Sequence, residues 1–182
     1  MDTVGKVIAI IIVMVALFIA PLVSMSSTND SITQATVYDI SSEFVDDVRE
    51  CGYISQERYL SFITELDNTG ILYNVEMIHS HDTVNPVFGE QSTTDENGVV
   101  TKQQVVTDTN ATTEYYYQDE ILEKVYSKEG IYKMTQGDTF SIKVYNRDKT
   151  TAQRIRQMVF NYVDGSHPIF VQYGGVIRDE DY

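Results

Sequence analysis

VIAIIIVMVALFIAPLV, residues 7–23, decides how this chain is laid out. The run carries no charge, and its only helix-breaking residue is Pro21. Ile, Val, Leu and Phe dominate it. At roughly −0.3 to −0.6 kcal/mol each near a bilayer centre, they favour insertion. Its length sits at the short end of the about 17–25 residues that a spanning helix needs. It exceeds the about 7–15 residues of a secretory h-region. The segment before it, Met1 to Lys6, sets one lysine against one aspartate, a poor signal-peptide n-region. Cleavage after Ala20 would put Pro21 beside the cut, whereas Ser24-Met25-Ser26 is a passable site. The balance favours a retained anchor over a cleaved leader.

Basic residues predict the orientation. Lys6 and the α-amino group precede the span, and the next basic residue is Arg49. The positive-inside rule then places residues 1–6 in the cytoplasm, 7–23 in the membrane and the rest outside. Residues 24–31 (SMSSTNDS) read as a polar hinge, 32–177 as an extracytoplasmic domain, and 178–182 as an acidic tail. That length suits one domain with a real core.

The formal charge is −14, from 27 acidic and 13 basic residues. Such a balance argues against nucleic acid, which demands a positive footprint. It also disfavours docking on anionic lipid heads. A single cysteine, Cys51, excludes an intramolecular disulfide, so the domain must rely on its core.

The periodicities predict α+β: amphipathic helices packed on a mostly antiparallel sheet. A stripe of Val37, Ile40, Phe44, Val48 and Cys51 marks a helix starting within 31–33, and Gly52 stops it. Ser55 caps a second helix carrying Tyr59, Phe62, Ile63 and Leu66. Residues 71–79 alternate as a half-buried strand. Residues 82–113 are polar and read as an exposed insertion, with a short hairpin between Val99-Val100 and Val105-Val106. Residues 117–128 suggest a helix with Ile121, Leu122 and Val125 inward. Residues 131–134 and 139–146 flank Thr135-Gln136-Gly137-Asp138, a hairpin signal. Residues 149–163 read as a helix, and 168–177 as a strand interrupted at Gly174-Gly175.

No catalytic constellation stands out: there is no P-loop, GxGxxG, GxSxG or SxxK. His79 and His81 share a strand face and, with Asp82 or His167, form the one weak metal candidate. The ordinary role for such a pair is to end a strand in solvent. Cys51 lies on the apolar stripe, where it acts as a small hydrophobe. Tyr115-Tyr116-Tyr117, beside a polar loop, must present at least one ring outward and is an interface candidate. No cofactor is expected.

The layout resembles the membrane-anchored minor pilin-like proteins of Tad-type (type IVc) pilus systems of Gram-positive bacteria. The residues that carry the resemblance are the apolar helix with Pro21 and the amphipathic helix leading to Glu50-Cys51-Gly52-Tyr53-Ile54-Ser55. They continue with YLSFITELDNTG (59–70), the strand at Tyr73-Asn74-Val75-Glu76-Met77, and Gly137-Asp138 before an alternating strand. The resemblance covers most of the chain outside 82–115. It implies a non-enzymatic, single-span accessory subunit of a surface filament or secretion apparatus. Its partners would be the bilayer, through 7–23, and other single-span or pilin-like subunits. It departs from the family at the processing site: Gly5-Lys6 supplies the glycine, but Ile10 stands where glutamate is usual. The competing class is an extracytoplasmic ligand-binding or adhesion module on a one-helix tether.

Overall fold

The computed structural model describes residues 3–94, 100–161, 165 and 167–178, with the side chains of 91–94 and 100–103 left aside. The architecture is α+β. Helix α1 (Thr3–Cys51) is followed by strand β1 (Tyr53–Ser55), helix α2 (Gln56–Asp67), and strands β2 (Tyr73–Thr94) and β3 (Val100–Tyr117). Helix α3 (Gln118–Val125), strands β4 (Ile131–Lys133) and β5 (Thr139–Asn146), helix α4 (Thr151–Phe160) and strand β6 (Phe170–Val176) complete it. The main sheet is antiparallel throughout, in the order β3-β2-β5-β6, and β1 and β4 pair as a separate two-stranded sheet.

α1 runs unbroken for 49 residues, so 24–31 is helix rather than hinge. The hydroxyls of Ser27, Thr28, Ser31 and Thr33 donate to the carbonyls four residues earlier, at 2.9–3.1 Å. Side chains that read as loop formers thus satisfy themselves within the helix. Asp30 is buried and accepts from Thr150 Oγ1 at 2.8 Å. The polar stretch is a docking face for α4.

The two halves of α1 live in different surroundings. The apolar first half is exposed from Thr3 to Phe18, with Val7, Ile11, Met14 and Phe18 at 53, 54, 59 and 75% accessible, and only Ile19 and Val23 in the apolar run are part-buried. This half is a candidate membrane-spanning helix, compatible with a single-pass membrane protein. The second half is core. Val37, Val45 and Val48 are fully buried, and Phe44 stacks on Phe62 of α2 at 4.3 Å and meets Phe140 of β5 at 6.3 Å. From the sheet come Met77, Phe140, Ile142, Val144 and Val171, and from α3 come Ile121 and Val125.

β6 runs alongside α1. Phe170 O accepts from Gln34 Nε2, and at the other end Val176 O accepts from Arg49 Nε. β2 runs in the same direction as β6, because each is antiparallel to β5. β2 therefore leads away from the apolar end of α1. Past Ser80 it loses β5 and continues with β3 alone, in a ribbon paired as far as Thr94↔Val100. At about 3.3 Å per residue this arm extends roughly 45 Å beyond the sheet.

Several sequence expectations are corrected. The described residues of the 82–113 insertion form a long two-stranded arm, not an irregular excursion with a short hairpin. Its Thr and Val residues favour strands, but with both faces in solvent no apolar alternation marks it. Val100, Val105 and Val106 lie on the same strand, while Val99 is outside the described residues. β4 pairs with β1, not with β5, so Thr135–Asp138 links two sheets. α3 and α4 are shorter than expected, and Tyr162 and Val163 of the longer reading fall outside the described residues. β6 passes through Gly174 and Gly175 in unbroken register with Ser141 and Phe140. These glycines serve close approach: a Cβ on Gly174 would lie 2.5 Å from Ser141 Cβ and 2.7 Å from Phe140 O. On Gly175 it would lie 2.6 Å from Arg49 Cζ.

Candidate functional site

Strand alternation puts His79 and His81 on one face of β2. The β2–β5 register, His79↔Phe140 and Ser80↔Thr139, carries on to set Asp138 level with His81. Asp138 closes the turn from β4, where Gly137 takes a positive φ of 97° and the Asp138 N–H donates to Thr135 O at 3.0 Å. Its carboxylate is buried and gathers three donors. Oδ2 accepts from Thr135 N at 2.7 Å and from His79 Nε2 at 2.9 Å, and Oδ1 accepts from His81 Nδ1 at 2.6 Å.

His79, also buried, reaches Tyr132 Oη through Nδ1 at 2.7 Å. In the tautomer that gives Nε2–H to Asp138, Nδ1 is the acceptor for the tyrosine hydroxyl. The His79 ring stacks on Tyr116 at 5.4 Å, and Lys124 Nζ stands 5.3 Å from the centre of the Tyr132 ring. The chain Tyr132–His79–Asp138–His81 thus ties β4, β2 and β5 together at the root of the arm.

The electrostatics follow from these contacts. Burial pushes the Asp138 carboxyl up, but the Thr135 N–H and the two imidazoles outweigh it and hold the group below its ordinary value. The hydrogen bond to Asp138 raises His81 above the usual histidine range, reinforced by the charge of the same carboxylate. Burial pushes the Tyr132 phenol well up. A tyrosine so placed stays protonated and is a hydrogen-bond donor, not a nucleophile.

Of the metal candidates, the fold brings His79 and His81 to one partner but aims both at Asp138. Asp82 turns to Thr113, whose Oγ1 donates to it at 2.7 Å. His167 stands at the far end of β5, donating from Nδ1 to Asn146 O at 2.8 Å. Among the described residues no group of three or more His, Cys, Asp or Glu is arranged to hold a metal ion. Asp138 was visible in the sequence only as a turn residue; the register that brings it to two histidines is a long-range fact.

The tyrosine triplet sits at the end of β3, opposite Ser80, His79 and Ile78. Tyr115 and Tyr117 are 57 and 56% exposed, on the face opposite Tyr116. Tyr116 turns inward to His79, with its hydroxyl on Glu114 Oε2 at 2.9 Å. Cys51 is half-buried at the end of α1 and hydrogen-bonds Arg58, which raises the guanidinium above its ordinary value. Comparisons with family models, with curated proteins and with solved structures found no match to this chain.

Proposed function

We propose that this is a non-enzymatic, single-span membrane protein serving as a minor or accessory pilin-like subunit of a surface filament or secretion apparatus. One observation carries the reading. α1 is a single helix whose first half is apolar all round and, up to Phe18, exposed on every side, while its second half is built into the core of the head. A helix of that kind exchanges lipid for neighbouring helices at modest cost, because lipid chains and apolar side chains are equivalent surroundings. Movement of the helix is transmitted to the head without a flexible joint.

Retention of the helix is favoured by the packing at 27–30. Ser27 Oγ accepts from Arg156 and Asp30 from Thr150, so the passable cleavage site after Ser26 abuts a stretch tied to α4. The proposed orientation keeps residues 1–6 in the cytoplasm and the head outside, with the arm reaching farthest from the membrane. Tyr115 and Tyr117 at the root of the arm present the rings that neighbouring heads would use. The test is in-membrane crosslinking followed by mass spectrometry. Capture of other single-span proteins through 7–23 supports the reading. Recovery of this chain alone, at crosslinker doses that trap known helix pairs, contradicts it.

A tethered ligand-binding or adhesion module is the second reading, and the arm favours it. Val84, Phe88 and Val106 are 61, 60 and 50% exposed on a two-stranded ribbon that has open edges. Such edges are templates for an added strand. Deleting 83–112 and joining the ends would abolish capture of a target by an adhesion module, while leaving crosslinks through α1 intact.

A further inference from the structure

The geometry points to a second membrane contact: the C-terminal half of α4 docks on the anionic headgroups of the leaflet facing the head. The inference rests on residues 7–23 being the span. α4 runs antiparallel to α1, toward the apolar end. Its N-cap Thr150 Oγ1 donates to Asp30 at 2.8 Å, and six residues later Arg156 Nη2 donates to Ser27 Oγ at 2.7 Å. Ile19, Val23 and Ser27, spaced four apart on this same face of α1, are part-buried, whereas Leu17, Phe18 and Leu22 are open.

Ser27 lies four residues past Val23. At about 1.5 Å per residue the Arg156 contact is therefore about 6 Å beyond the apolar run. The polar headgroup layer is about 5–8 Å deep on each side of a roughly 30 Å hydrocarbon core. Arg156 is thus at headgroup depth, and the residues after it reach toward the acyl boundary. There the helix exposes Met158 at 87% and Phe160 at 65%, left open by the described residues. An aromatic and a methionine beyond a pair of arginines match an interfacial helix, with its apolar end in the acyl boundary and its cations among the headgroups.

Charge points to the same occupant. Residues 147–156 hold Arg147, Lys149, Arg154 and Arg156 against Asp148 alone, a basic island in a chain of charge −14. None of the four is ion-paired to another described residue. Asp30, three residues from Ser27, is the one α1 carboxylate beside the island; it is buried and accepts from the Thr150 hydroxyl. The acidic run of α1 begins at Asp39, twelve residues above Ser27, or about 18 Å along the helix. That exceeds the Debye length of about 8 Å at physiological salt, so those carboxylates do not cancel the island. The average charge of the chain, which disfavours anionic lipid, conceals this segregation.

The chain has no tryptophan, so single-tryptophan variants of the full-length protein report depth directly. Phe160→Trp is reconstituted in vesicles of phosphatidylcholine with or without phosphatidylglycerol, brominated near the glycerol end of the acyl chain. Phe18→Trp reports the span, and Phe88→Trp reports the arm. The inference expects Phe160→Trp to lose roughly half its emission, since interfacial helices sink about 5–10 Å. The loss should be about twofold larger with phosphatidylglycerol and reduced by Arg154→Glu, in line with electrostatic attraction to anionic headgroups. Phe88→Trp should be unaffected. Quenching of Phe18→Trp without quenching of Phe160→Trp overturns this inference alone. Failure of both to quench overturns the span, and this inference with it. Equal quenching of Phe160→Trp in the two lipids overturns the headgroup assignment.

Discussion

Replacing Asp138 by alanine removes one carboxylate and three hydrogen bonds. The donors left behind differ in cost. His79 is 4% exposed, and the Thr135 N–H is part-buried. Leaving such groups without an acceptor costs about 1–3 kcal/mol each. His81 is 35% exposed at its side chain, so its share is discounted to well under about 1 kcal/mol for solvent screening. The loss is therefore about 2–6 kcal/mol, and a midpoint fall of roughly 5–20 °C for a domain of this size. Circular dichroism of the sheet signal during heating, on full-length protein in nanodiscs, measures it. Asp138→Asn keeps an acceptor oxygen and should cost less than half as much. The pH dependence has a defined sign. His81 is raised by its partner, so its contribution is full below about pH 6.5 and fades as pH climbs through the folded value. Asp138 is lowered, so its contribution is full above about pH 4 and is lost as pH falls through its folded value. Wild type should be most stable from this network between about pH 4 and 6.5, and Asp138→Asn should flatten the alkaline limb. An alanine variant within about 0.5 kcal/mol of wild type, with an unchanged pH profile, refutes the reasoning.

Other substitutions test other parts of the account. Phe44→Ala, which removes the ring between Phe62 and Phe140, should destabilise the head by about 3–5 kcal/mol in urea titration, because α1 is part of its core. Gly174→Ala should cost more than Gly175→Ala in the same titration, about 1–3 kcal/mol against less. The first clashes with backbone and Cβ atoms, while the second meets the movable end of Arg49. Tyr115→Ala with Tyr117→Ala should leave the melting midpoint within about 2 °C, as expected for surface positions. The same pair should weaken recovery of partner proteins after crosslinking; undiminished recovery removes these rings from the interface.

Much of the fold was legible where burial on one side imposes a period. Val37, Phe44 and Val48 of the α1 stripe, Tyr59, Phe62 and Leu66 of α2, and Phe140, Ile142 and Val144 of β5 are buried as their spacing predicts. Ser55 caps α2 as expected, its side chain accepting from Arg58 N. The arm was not legible, since a ribbon solvated on both faces has no apolar alternation to show. The helical character of 24–31 was concealed for a related reason. Ser and Thr read as loop formers until their hydroxyls are seen on carbonyls one turn back, with Asp30 against α4. Of the site, the shared face of His79 and His81 could be read from strand alternation. Asp138 and Tyr132 could not, because 59 and 53 residues separate them from His79 and only the sheet pairing brings them together.

The central claim is that the apolar half of α1 stays on the mature chain and holds the head at a bilayer. Intact-mass spectrometry of the protein from carbonate-washed membranes tests it most directly. The account predicts a membrane-retained species whose mass includes residues 7–23. A soluble species whose mass begins near Ser27 would contradict it.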